Sequence, residues 1–131
     1  MGKIYLLSSM IIPISFEYKS AMVVVEEVSV EEARAILEGG FISAVGHEAT
    51  ARFLSRVLGL EVRPSREAVF LHEGDVAIAI QFGERIQGVE LGEDVVERFF
   101  REGRARFLKV VVDRIGVRVK HRRRGCRVIG V

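Results

Sequence analysis

The chain contains no tryptophan, no asparagine, two prolines and a single cysteine, Cys126. One thiol cannot close an intrachain disulfide, so the expected home is a reducing, cytoplasmic compartment. No apolar run reaches the ~18 residues that a membrane span requires. The longest candidate, residues 4–14, is interrupted by Ser8, Ser9 and Pro13. It also lacks a small-residue cleavage site and does not read as a signal peptide. The three histidines, His47, His72 and His121, lie far apart without ligand spacing, so no metal and no cofactor are expected. Glutamine occurs only at 81 and 87. So few thermolabile amides, beside 29% charged residues, fit a thermophilic protein.

What is there describes an ordinary globular chain. Its 131 residues make one domain, large enough to bury about two-thirds of its unfolded surface. The basic side chains are 16 Arg and only 4 Lys. The net charge of +2 hides an asymmetry: residues 113–131 hold seven basic residues and one acid, leaving 13 basic and 17 acidic residues in the rest. The body is therefore mildly acidic, unlike a general nucleic-acid binder, and the tail is strongly basic. The expected division is a domain over 1–113 and a basic extension over 114–131. In that extension 117–120 alternates as a lysine- and arginine-guarded edge strand would. Arg122, Arg123 and Arg124 could contact RNA phosphates, and a disordered end is the third reading.

Hydrophobic patterning gives the order of elements. Residues 3–7 form an apolar run with β-formers, and the valine-rich segment 21–28 reads as a second strand. Ser29 and Glu32 have capping-box spacing, opening a helix that runs to about Glu38 and stops at Gly39-Gly40. Residues 41–45 are short and extended. Residues 67–71 and 75–82 read as two strands joined through Glu73-Gly74-Asp75 as a hairpin. Residues 93–102 are helical, and 104–112 is a strong last strand. The expected architecture is α/β: a small mixed sheet of about five strands with helices packed on it.

The chemistry concentrates in Ser43–Thr50. Gly46 offers the backbone freedom for a tight strand-to-helix turn. Ala51, Leu54, Val57 and Leu58 then repeat at helical spacing, which puts His47 in the first turn. There, unpaired N–H groups and the helix dipole favour an anion. An imidazole beside a phosphate seat is a candidate acid for phosphodiester cleavage. Such a cleavage needs little else. A ribose 2′-hydroxyl is already tethered to its phosphorus, and orientation supplies several kcal/mol of the ~7–11 available to intramolecular reactions.

Lys3-Ile4-Tyr5-Leu6, Gly46-His47-x-x-Thr50, Arg66 and Gln81-x-x-x-Arg85, followed by an acidic helix and a closing strand, resemble the small ring nucleases of archaeal viruses. These are type III anti-CRISPR proteins with relatives in cellular CRISPR loci, and the likeness covers about residues 1–113. The resemblance implies a homodimer that binds cyclic tetra-adenylate across its two-fold and cleaves it without metal. His47 would be the acid. Arg85 and Arg66 would hold phosphates or the transition state. Gly46, Thr50 and Gln81 would line the pocket, and Ser8 or Ser9 would touch the ligand from the end of the first strand. The family commonly carries a glutamate pair after the arginine, where this chain has Gln87-Gly88, and often a serine where it has Ile11. The missing carboxylate keeps a non-catalytic sensor or sponge for the same ring as an alternative, and the basic tail keeps a nucleic-acid accessory role as another.

Overall fold

The computed structural model describes residues 2–83 and 93–115. The elements are β1 (Ile4–Leu7), β2 (Ala21–Val28), α1 (Val30–Leu37), β3 (Ile42–Ala44), α2 (Glu48–Leu58), β4 (Val76–Phe82), α3 (Glu93–Arg101) and β5 (Ala105–Ile115). The five strands form one mixed sheet in the order β2-β5-β4-β1-β3. β1 pairs in parallel with both β3 and β4, while β5 is antiparallel to β4 and β2. The expected α/β class and strand number hold.

The helices begin and end where local chemistry dictates. Ser29 accepts a hydrogen bond from the Glu32 backbone at 3.1 Å, and Glu32 accepts one from the Ser29 backbone at 2.9 Å. That reciprocal capping box opens α1 as its spacing foretold. α2 ends at Gly59, whose φ of 68° lies in the left-handed region that glycine enters at least cost. The apolar stripe of α2 places Ala51, Leu54 and Leu58 against the sheet, joined by Phe53. With Leu37 of α1, Phe99 of α3 and the sheet residues Leu6, Ile78, Ile80 and Phe107, they form the larger core cluster. Each fully buried Leu, Ile or Phe contributes ~1.5–3 kcal/mol relative to exposure.

The opposite face of the sheet is also apolar, but among the described residues no helix covers it. Tyr5, Leu7, Ala77, Ala79, Val110 and Val112 pack there against Met10, Ile12, Ile14, Val69 and Leu71. Both covering segments come from stretches without regular structure. This corrects the expected hairpin. Residues 67–71 are not a sheet strand. Instead Leu71 forms a parallel bridge with Ile14, donating to Pro13 O at 2.8 Å and accepting from Ser15 N at 3.0 Å. Burying Val69 and Leu71 against the bare sheet face outweighs extending the sheet. The turn before β4 is nevertheless real. Gly74 has φ of 89°, and the Asp75 carboxylate accepts from the backbone N–H of His72 and of Lys3, each at 2.8 Å.

The last strand continues to Ile115, two residues beyond the boundary expected at 113. Cys126 and the arginine run 122–124 lie outside the described residues. No described helix is long and apolar enough to cross a membrane.

Candidate functional site

β1 is the switch point of the sheet: a parallel neighbour lies on each side of it, so the chain leaves three adjacent strands at one end. Open α/β sheets bind ligands in the crevice at such a point, outside the carboxyl ends of the strands. The register makes the convergence specific. Leu7 is level with Ala44 on one side and Ala79 on the other. Two residues further along each segment come Ser9 and Gly46, in the loops that leave β1 and β3, and Gln81, still within β4. Ser8 and His47 flank the same rim. Five of the expected site residues are thus gathered by topology from three segments of sequence.

His47 is the N-cap of α2 rather than a first-turn residue, with φ −109° and ψ 128°. Its carbonyl accepts the first helical hydrogen bond, from Ala51 N at 3.0 Å. Its side chain makes no capping hydrogen bond and is exposed. The imidazole therefore stands at the head of the helix without a structural duty there. Gly46 departs from expectation. Its φ is not positive, and an added Cβ would meet nothing nearer than Arg66 Cγ at 3.6 Å, an ordinary contact. The turn into α2 does not need glycine's conformational freedom.

Arg66 is brought to the site by a direct bond, its Nε donating to Gly46 O at 3.1 Å. The segment that carries it lies along the outer side of β3. Ser65 N donates to Val45 O at 2.8 Å, and the Ser43 hydroxyl to Arg63 O at 2.6 Å. The guanidinium is thereby fastened one residue from His47. It is exposed, and its terminal nitrogens have no partner among the described residues.

One expected residue stands differently, and another lies outside the described residues. Thr50 is only 2% exposed, so it packs within α2's buried face. A hydroxyl one turn beyond His47 faces inward because the helix turns ~100° per residue. Arg85 lies outside the described residues, as do Gln87 and Gly88. Ser8 is half-buried, Ser9 exposed, and Ile11 is 77% exposed on the same loop.

Gln81, half-buried near the end of β4, is tied to residues that motif reading passed over. Its Oε1 accepts from Arg106 Nε at 2.9 Å, and Arg106 NH1 donates to Glu27 Oε1 at 3.1 Å. The one available signal was the polar–apolar alternation at the start of β5, which sets Arg106 on a different face from Phe107. A cavity of about 250 Å³ adjoins this group, lined by Gln81, Gly83, Arg104 and Arg106. A larger one of about 460 Å³ lies beyond β3, bordered by Phe41, Ser43, Arg63 and Ser65. Neither includes His47, which stands on the open rim. Among the described residues no group of three or more His, Cys, Asp or Glu side chains could hold a metal ion.

A family model described as STIV B116-like matches residues 4–95, a span that contains the whole rim. ORF117 of Acidianus two-tailed virus is 41% identical over 86 residues, covering 63% of this chain and 72% of that protein. Protein 26 of Sulfolobus islandicus filamentous virus is 36% identical over 85 residues, covering 64% and 71% respectively. The solved structure of B116 from Sulfolobus turreted icosahedral virus superposes with a TM-score of 0.63 at 24% identity. It matches 84% of this chain and 99% of that one, a likeness of fold. These relatives are proteins of archaeal viruses.

Proposed function

The chain belongs to the STIV B116-like family, and from that premise we propose that it is a metal-independent ring nuclease acting as a homodimer on cyclic tetra-adenylate. The products are linear di-adenylates ending in a 2′,3′-cyclic phosphate, and the effect is to switch off type III CRISPR signalling. The observation that carries this reading is the exposed His47 imidazole, uncommitted at the switch-point rim, with Arg66 fastened to the preceding residue.

The step uses what such a rim can supply. A ribose 2′-oxygen attacks the adjacent phosphorus in line, forming the 2′-O–P bond and releasing its proton to solvent. The P–O5′ bond breaks, and His47, entering as imidazolium, gives its proton to the departing 5′-oxygen. Arg66 and, by resemblance, Arg85 stabilise the charge on the phosphoryl oxygens. Two such cleavages open the ring into two halves, which suits two copies of one histidine related by a two-fold.

The test is incubation of the purified chain with cyclic tetra-adenylate in EDTA, followed by chromatography. Short linear adenylates are expected, and His47→Ala should slow their appearance by about 10²–10⁴-fold while the ring still binds. A His47→Ala variant as fast as wild type refutes the assignment. Tight binding with the ring returned intact would instead mark a sensor or sponge, which the absence of the family's glutamates at Gln87-Gly88 favours. No interaction with rings of any size would leave a nucleic-acid accessory acting through Arg122, Arg123 and Arg124.

A further inference from the structure

β5 lies between β4 and β2, so a long side chain on it can reach both neighbours. Arg106 does. It is directly opposite Gln81 in the β4–β5 ladder, and on its other side it meets Glu27 of β2. A guanidinium carries five N–H donors and no acceptor. Whichever way the Gln81 amide is turned in principle, the atom facing Arg106 Nε at 2.9 Å has to be the carbonyl oxygen. The NH₂ group is then committed to the opposite direction, as a donor.

We infer that Arg106, braced by Glu27, is a positioning residue that holds Gln81 with its NH₂ group presented at the rim, so that this position selects a hydrogen-bond acceptor on the ligand. The inference rests on the ring-nuclease reading for the identity of that ligand, whose acceptors are phosphate oxygens and adenine ring nitrogens. Gln81 is two residues beyond Ala79, the last β4 residue paired with β1, where β1 has already given way to the loop that carries Ser9. A free glutamine would present either end of its amide and would lose rotamer freedom on binding. Arg106 removes the wrong orientation and much of that loss in advance. Arginine suits the task better than lysine, because its rigid planar fork engages two acceptors on different strands at once. Glu27 supplies the countercharge, so the guanidinium is not itself the feature offered to the ligand. The pair is too exposed, at 51% for Arg106 and 60% for Glu27, to contribute much to stability. Its effect lies in orientation.

The composition makes the arrangement directly observable. With no asparagine and only Gln81 and Gln87, the side-chain NH₂ region of a ¹⁵N spectrum holds two amide pairs, and Gln81→Ala identifies one of them. In the ligand-free protein the Gln81 pair should be ordered, and Arg106→Met should disorder it without moving the thermal midpoint by more than a degree or two. With cyclic tetra-adenylate, Arg106→Met should raise KM about 3- to 10-fold with kcat nearly unchanged. Arg106→Lys should not restore it. In a Gln81→Ala background the same change should have no further effect. Gln81→Glu, which turns an oxygen toward the ligand, should bind worse than Gln81→Ala. An amide pair indifferent to Arg106→Met, an Arg106 effect that persists in Gln81→Ala, or Gln81→Glu binding as wild type would each overturn the inference. If wild type ignores cyclic tetra-adenylate, the ring-nuclease reading fails, and the amide spectrum alone then judges the hold on Gln81.

Discussion

Two histidines in this protein show how differently one chemical type can be employed. His47 heads a helix with its ring in solvent and unpartnered among the described residues, whereas His72, also exposed, stands beside Glu17 at 3.5 Å, Asp75 at 3.7 Å and the edge of Tyr18. Asp75 is the anchor of that second group. It is 5% exposed, and its carboxylate satisfies two backbone N–H groups that nothing else serves in the turn before β4. Asp75→Ala should therefore cost about 1–3 kcal/mol, the desolvation of buried donors left unpaired. Urea denaturation would read this as a lower midpoint at unchanged slope. Because Asp75 opens β4 at the end of the sheet opposite His47, kcat of the folded variant should match wild type. A large loss of stability together with a changed kcat would contradict that separation of roles.

At the scale of elements, α1 depends on its first turn. The hydrogen bonds from the Ser29 backbone and side chain hold the Glu32 carboxyl below its ordinary value. A carboxylate depressed in the folded state stabilises above its unfolded pKa, and that contribution is lost as pH falls through the folded one. The cap is thus intact at neutral pH and loosens on acidification below the ordinary glutamate range. Glu32→Gln should be less stable than wild type at pH 7, and the difference should shrink toward pH 3, as followed by thermal melts monitored by circular dichroism. A difference that grows on acidification would contradict the capping account. β3 shows the opposite dependence. Three residues long and at the sheet edge, it is held on its outer side by Ser65 N to Val45 O. Local propensity would not sustain so short a strand, and its outer contacts with residues 63–66 are what bring Arg66 to the rim.

For the whole molecule, the two faces of the sheet are covered unequally. Among the described residues three helices enclose one face, while the other carries irregular segments that leave Phe16 80% and Phe70 40% exposed, stacked edge to face at 5.3 Å. The proposed chemistry requires a second copy, because one chain presents His47 on an open rim rather than inside a cavity. Sedimentation equilibrium should give a mass about twice 14.7 kDa. A strict monomer at the concentrations where cleavage occurs would remove the shared pocket and with it the two-histidine scheme.

Much of this was legible in the residues themselves. The capping box at Ser29 and Glu32, the apolar stripe of α2 and the glycine at 59 are local signals, and each acted within a few residues of itself. The resemblance through Gly46-His47 likewise needed no coordinates. Local patterning misread residues 67–71, since alternation describes a half-buried extended segment whether it joins a sheet or lies across one. It also could not tell that Thr50 faces the core. Arg106 was invisible for the same reason: its meaning depends on which residue stands opposite, and register is settled by how two distant strands bury their shared face. Composition and periodicity determined the kind of protein and its elements. Only the tertiary structure decided which side chains meet, because burial and hydrogen bonding between segments 20–80 residues apart leave no trace in the spacing of either one.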